Sequence, residues 1–247
     1  MADQEFVPAL GRPELTGEYD RVVAVMTRER RWRGALMQAL KPRDHEIIVD
    51  VGSGTGSQAI LVKQAAALAR VIGVDPDPVV LALARAKAQT AGVDIEFVQG
   101  MGDQANILVG GSIADAIYSS LVLHQCPSAA KISILESMFR CLKPGGRLLI
   151  ADYGLQRSLL MSLLFRQVRM LDGFENTKPN KDGRIPELVA AAGFVEVAET
   201  TVSRRRRAPS RSIVRASRAQ AFEPFRGMRA DAGVMPSMRR MVRVMCA

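Results

Sequence analysis

The chain is poor in the residues that usually announce a metal site or a disulfide scaffold. Its three cysteines, Cys126, Cys141 and Cys246, have neither metal-ligand nor disulfide spacing. No metal is expected, and a reducing, cytoplasmic setting follows. No apolar run in the sequence approaches the ~18 residues of a membrane span. The opening Met1-Ala2-Asp3-Gln4-Glu5 lacks a basic region followed by an apolar one, so no signal peptide is expected. There is no internal repeat and no obvious constellation of nucleophile and base. What is present is 247 residues with 48% hydrophobic content, enough for one α/β domain with a large core.

The net charge of +9 is unevenly placed. From Arg204 to Ala247 there are 12 Arg against Glu223 and Asp231, so the first 203 residues carry 22 bases and 23 acids. The densest charge lies between Arg204 and Arg218. Basicity therefore belongs to the C-terminal segment, and the overall charge is a poor argument for a nucleic-acid enzyme.

The organising stretch is Ile47 to Ser57. Ile47, Ile48, Val49 and Val51 are β-branched and apolar and predict a strand buried on both faces. Asp50 interrupts them. Gly52, Gly54 and Gly56 follow at alternate positions, and a helical pattern begins at Gln58. Glycines there permit a tight turn and let a ligand approach the backbone with no Cβ in the way. A dinucleotide fingerprint would read G-x-G-x-x-G. Here the spacing is G-x-G-x-G, and Asp50 stands where a pyrophosphate's charge is unwelcome but a positive amine is favoured. A second element is Val71-Ile72-Gly73-Val74-Asp75, whose acid follows Asp50 by 25 residues. That is near the ~20-residue spacing of a ribose-binding carboxylate at the end of a second strand.

Together these residues resemble motif I and the following acid of the class I S-adenosylmethionine-dependent methyltransferases. The resemblance covers roughly residues 15 to 203, and the layout is most similar to ubiquinone/menaquinone-type and related small-molecule enzymes. It implies a Rossmann-like, doubly wound α/β sheet of seven strands in the order 3-2-1-4-5-7-6, with strand seven antiparallel and an N-terminal helical cap. It also implies S-adenosylmethionine as cofactor and a small, apolar methyl acceptor. Asp50, Gly52, Ser53, Gly54, Gly56, Asp75 and Pro76 are then cofactor contacts. Gly102-Asp103 takes the place of a Gly-Asp pair whose acid meets the adenine amino group, with Gly100-Met101 as an insertion. Met101 packing on the adenine face is the alternative. Ser119 lies after strand four on the cofactor side. Tyr19 and Arg33 are candidates for the cofactor's amino-acid end, against a plain reading as surface residues of an amphipathic helix. Trp32 reads as packing. His124, in Ser119-Ser-Leu-Val-Leu-His124, fits a general base or substrate contact, and equally a structural loop histidine.

Residues 1–14 are expected to be a flexible lead, 15–218 the domain, with 15–45 as cap and 155–183 as a lid or insert, and 219–247 a mobile tail. Strands are predicted at 47–51, 71–74, 95–98, 113–118, after the turn Lys143-Pro-Gly-Gly146, and at 194–201. Helices are predicted at 58–69, 78–91, 127–142 and 185–192. The apolar stretch Leu155–Leu171 reads as a lid or as a docked helix, and 172–183 as a polar loop. Ser212–Ala216 fits strand seven poorly, being rich in arginine and short of apolar residues.

Two other functions fit parts of the sequence. A nucleic-acid methyltransferase would use the basic stretch, although Ser119-Ser-Leu-Val lacks the Asn/Asp-Pro-Pro-Tyr/Phe of base amino-methylation, and Cys126-Pro127 reverses the cytosine-C5 order. A catalytically degenerate binding protein of the same fold is the other. An NAD-dependent oxidoreductase is disfavoured by the glycine spacing and by Asp50.

Overall fold

The computed structural model describes residues 29–156, 159–202 and 210–219. Within them the chain alternates strands and helices. The strands are β1 (Ile47–Val51), β2 (Arg70–Asp75), β3 (Glu96–Gln99), β4 (Ala114–Ser120), β5 (Leu142–Tyr153), β6 (Val195–Thr201) and β7 (Arg211–Ser217). The helices are α1 (Glu29–Leu40), α2 (Ser57–Ala65), α3 (Pro78–Thr90), α4 (Ala105–Leu108), α5 (Ser128–Cys141), α6 (Leu159–Asp172), α7 (Phe174–Lys181) and α8 (Ile185–Ala191). One seven-stranded sheet runs in the order β3-β2-β1-β4-β5-β7-β6. Strands β1 to β5 are mutually parallel. β7 is antiparallel to both β5 and β6. This is the predicted topology.

The sheet is covered on both faces, which is why β1 reads as an apolar run rather than an alternation. Val49 and Val51 face one core together with Ile134, Leu135 and Met138 of α5 and Ile185 and Val189 of α8. Ile48 faces the other, with Trp32, Leu36 and Leu40 of α1 and Ala59 and Val62 of α2. Trp32 is buried packing, as its sequence context suggests. The guanidinium of Arg147 fixes the end of α1 to the sheet: its Nε donates to the Leu40 carbonyl at 2.9 Å, and its two terminal nitrogens grip the Glu46 carboxylate at 2.8 and 2.6 Å.

Three expectations are corrected. The segment 172–183 is no plain polar loop, because α7 occupies Phe174–Lys181 with Pro179 inside it. β5 begins at Leu142, before the Pro-Gly-Gly turn, which is absorbed as an irregularity opposite Ala114–Ala116 of β4. β7 is a well-formed central strand with Ile213, Val214 and Ala216 buried. Its small serines pass between neighbours, and its flanking arginines find partners: Arg218 lies over the Phe139 ring at 4.8 Å, and Arg211 over the Tyr153 ring at 5.1 Å. The lead 1–14, the cap residues 15–28 with Tyr19, the arginines 204–207, Cys246 and the tail 220–247 lie outside the described residues.

Candidate functional site

Parallel strands with crossover helices put every strand's carboxyl end on one rim, and a ligand crevice opens where the strand order reverses. Here the reversal falls between β1 and β4, the first two strands from opposite halves of the sheet. The residues singled out in the sequence collect on that rim.

The glycine turn is shaped by three positive φ angles: Gly52 +76°, Gly54 +52° and Gly56 +73°. Two of them are also sterically required. A Cβ on Gly52 would lie 2.2 Å from Val122 Cγ2, and one on Gly56 would lie 2.8 Å from the Phe97 ring. Gly54 differs, since a Cβ there would meet nothing within 4 Å. Its face is open to a ligand. The turn is anchored by its own backbone, with Gly52 N–H and Ser53 N–H both donating to the Val74 carbonyl, at 2.8 and 3.1 Å.

Asp75 ends β2 and is buried. Its Oδ2 accepts from Gly54 N–H at 2.8 Å and its Oδ1 from Asp77 N–H at 3.0 Å. Burial pushes its carboxyl up, and these two N–H groups draw it part of the way back. Pro76 follows it, and its carbonyl accepts from Gln99 Nε2 at 3.3 Å.

Asp50 is 1% exposed, and neither of its oxygens has a hydrogen-bond partner among the described residues. Burial pushes its carboxyl up to about 7; the Asp75 charge adds to this, while the Tyr118 phenol and Arg33 oppose it. Tyr118 stands directly across the β1–β4 ladder from Asp50, and burial and that carboxyl together drive its phenol far above the ordinary value. Trp32 Nε1 and Gln58 Nε2 are likewise buried without partners, while the Tyr118 phenol faces the Asp50 carboxyl. Arg33 closes this group from α1, its guanidinium 4.7 Å over the Trp32 ring and its Nη1 3.3 Å from Gln58 Oε1.

Three further orphans lie on the rim. Ser53 Oγ, Ser119 Oγ and Asp103 Oδ1 are buried and unpartnered. Asp103 sits in a 3-10 turn, Gly102–Gln104, just beyond β3. Gly102 lies close on the core, since a Cβ there would come within 2.9 Å of Val51. A native fold leaves few buried polar atoms unpaired, because each costs about 1–3 kcal/mol. A polar ligand bound at this rim would satisfy such atoms. The residues fit S-adenosylmethionine: an acid for its amine, an acid for its ribose, an acid for its adenine amino group, and bare backbone between.

His124 lies in a 3-10 turn, Leu123–Gln125, directly after β4. It is buried, and its Nδ1 is 2.8 Å from Asp152 Oδ1. The His124 backbone N–H donates to Asp152 Oδ2 at 3.1 Å, and Tyr153 N–H donates to Oδ1 at 2.7 Å. His124 Nε2 points to Asp172 Oδ2 of α6 at 3.6 Å. Sequence reasoning missed Asp152, Asp172, Tyr118 and Gln58. Asp152 carried a readable signal, for it is the last residue but one of an apolar strand, as Asp50 is of β1. The others needed the strand register and the helix positions.

Among the described residues no group of His, Cys, Asp and Glu has a metal-binding arrangement, and no helix is long and apolar enough to cross a membrane.

Comparison with known proteins points to the methyltransferases. A family model described as a methyltransferase domain matches residues 48–146. A demethylmenaquinone methyltransferase from Thermus thermophilus is 28% identical over 142 residues, covering 57% of this chain and 63% of the relative. An arsenite methyltransferase from Aquipseudomonas alcaligenes is 31% identical over 178 residues, covering 69% of this chain and 49% of the relative. The chain thus spans less than two thirds of those relatives' length, 63% of the first and 49% of the second. Among solved structures, phosphoethanolamine N-methyltransferase 2 from Haemonchus contortus, in complex with phosphomonomethylethanolamine and S-adenosylhomocysteine, shares the fold at a TM-score of 0.66 and 14% identity, covering 86% of this chain and 58% of the other.

Proposed function

We propose that this chain, which carries a class I S-adenosylmethionine-dependent methyltransferase domain, binds S-adenosylmethionine on the rim of β1, β2 and β4 and transfers its methyl group to a small molecule. The observation that carries the reading is the set of buried, unpartnered polar atoms of Asp50, Ser53, Asp103 and Ser119 around the open face of Gly54. Asp50 and Arg33 hold the amino-acid end, Asp75 the ribose hydroxyls, and Asp103 the adenine amino group. Gly52, Gly56, Pro76 and Gly102 set the backbone that brings these groups together.

When bound, the cofactor supplies a methyl group already activated on a sulfonium. The chain's task is alignment and exclusion of water. α6 brings one apolar side chain to this end of the sheet: Phe165 is fully buried and packs on the Tyr153 ring, 4.8 Å away. The two relatives act on a quinone and on arsenite, and these small-molecule methylations favour a small-molecule acceptor here.

Titration calorimetry of the chain with S-adenosylmethionine, with Asp75→Ala alongside, tests the reading. Micromolar binding weakened by the substitution supports it. A well-folded protein that binds no S-adenosylmethionine overturns it and leaves a methyltransferase fold used for another purpose.

A further inference from the structure

We propose that Asp152 and Asp172 are positioning residues that hold His124 as a proton acceptor, and that the site therefore takes acceptors that surrender a proton on methylation: a hydroxyl or an amine N–H. The acceptor class rests on the methyltransferase reading above; the arrangement of the three side chains does not.

The starting point is the state of Asp152. Burial alone would push its carboxyl up, yet the imidazole and the backbone N–H groups of Tyr153 and His124 bring it below the ordinary range. Asp152 is thus an ionised carboxylate and only accepts hydrogen bonds. Its Oδ1 faces His124 Nδ1 at 2.8 Å, so Nδ1 must carry the hydrogen. In a neutral imidazole that leaves the lone pair on Nε2. The ring cannot easily turn to exchange its nitrogens, because the edge of Tyr153 meets it at 4.9 Å and 86°. Tyr153 is itself braced by Phe165 of α6, 4.8 Å away.

The second carboxylate arrives from α6. Asp172 Oδ2 stands 3.6 Å from Nε2, too far for a good hydrogen bond and close enough for a charge to be felt. Its position is fixed at the α6–α7 junction. Asn176 Nδ2 donates to the Asp172 and Gln125 carbonyls at 3.0 and 3.1 Å. Lys131 of α5, fully buried, donates to the Asn176 carbonyl at 2.7 Å and to the Cys126 carbonyl. The groups facing His124 are therefore Asp152 and Tyr153 from β5 and Asp172 from α6, with Lys131 and the Cys126 thiol behind the turn.

In the proposed step the acceptor's O–H or N–H bond breaks, and its electron pair stays on the attacking heteroatom. The proton forms an N–H bond at His124 Nε2. The imidazolium then has a carboxylate at each nitrogen. Asp172 has 24% of its side chain exposed and Asp152 only 3%, so Asp172 is the one that hands the proton on to water.

The chain has two histidines, His45 and His124, which makes nitrogen-15 histidine NMR a direct test, with His45→Gln assigning the signals. His124 is expected as the Nδ1–H tautomer. Asp152→Asn is expected to abolish that preference and Asp152→Glu to restore it. With S-adenosylmethionine and a hydroquinone or a primary amine as probe, Asp152→Asn and Asp172→Asn are expected to lower kcat by roughly 10²-fold, the scale of general-base catalysis, with cofactor affinity unchanged. An Nε2–H tautomer in the wild type, or a tautomer indifferent to folded Asp152→Asn, overturns the proposal even in a protein that binds S-adenosylmethionine. Methylation of a tertiary amine while both protic probes stay inert overturns the acceptor class. Failure of the wild type to bind S-adenosylmethionine overturns the methyltransferase reading instead, and calorimetry separates that result from the tautomer.

Discussion

Gly54 N–H donates to Asp75 Oδ2 at 2.8 Å. The glycine turn and the end of β2, two segments separated by the whole of α2, are thereby held as one rigid rim. Asp75 serves twice: it braces the turn, and it presents its carboxylate to a ligand.

Replacing Asp75 by Ala should weaken S-adenosylmethionine binding by ~1.5–3 kcal/mol, the worth of hydrogen bonds to a charged group. Calorimetry measures the affinity, and circular dichroism checks that the turn survives the loss of its brace. An unchanged affinity would remove Asp75 from the site.

The three turn glycines should separate in a substitution series. Gly52→Ala combines a positive φ with a Cβ 2.2 Å from Val122 and should cost at least ~1–3 kcal/mol of stability. Gly54→Ala has space for its Cβ, so it should cost less stability and lose more cofactor affinity. Urea unfolding and calorimetry on the two variants give the comparison. Equal loss of affinity in both, matched to stability, would speak against a ligand on the Gly54 face.

Asp50 makes the free protein's stability fall with rising pH. Its folded carboxyl is raised from 3.8 to about 7 by burial. The folded state thus holds its proton where the unfolded state has released it. Its contribution is complete below about pH 4 and is lost progressively as pH rises to about 7, by at most roughly 4 kcal/mol. Asp75 and Asp172 shift in the same direction, so the variant isolates the effect. Asp50→Asn should flatten part of the slope in urea unfolding between pH 5 and pH 8. A ligand amine beside Asp50 favours its ionised form, and S-adenosylmethionine binding near pH 6.5 should release protons, measurable by calorimetry in buffers of different ionisation enthalpy.

Lys131→Met keeps the length of the buried stem and removes the ammonium that joins the Cys126 and Asn176 carbonyls. Two carbonyls lose their donor, and the expected cost is ~1–3 kcal/mol. Hydrogen exchange should increase most in α7 and in the turn bearing His124. Uniform exchange across the sheet would show that Lys131 is not the clasp between them.

The sheet order was legible through the family resemblance, which rests on Asp50 within the apolar run of β1, on the spacing of Gly52, Gly54 and Gly56, and on Asp75 at the end of β2. Asp50 and Asp75 were singled out by their place beside apolar runs and the glycine turn, and Asp103 through the resemblance alone. β7 was harder to read. Its arginines look solvent-seeking in sequence, and only the structure shows Arg211 and Arg218 lying over Tyr153 and Phe139. α7 was hidden by Pro179 and by a polar composition that suits a loop as well as a short helix held by Lys131 and Asn176. His124 could be placed after β4, but its two carboxylates arrive from β5 and α6, at separations of 28 and 48 residues that no local pattern connects.

β6 touches the sheet through β7 alone. β7, the last of the described strands, is therefore a wedge, and its removal takes two strands from the sheet rather than one. A chain interrupted before Arg211 would leave β5 as a raw edge of unpaired amides, next to a detached β6, which is a template for aggregation. During synthesis β6 has no strand partner until Ser217 has emerged, so β6 and β7 join the sheet together.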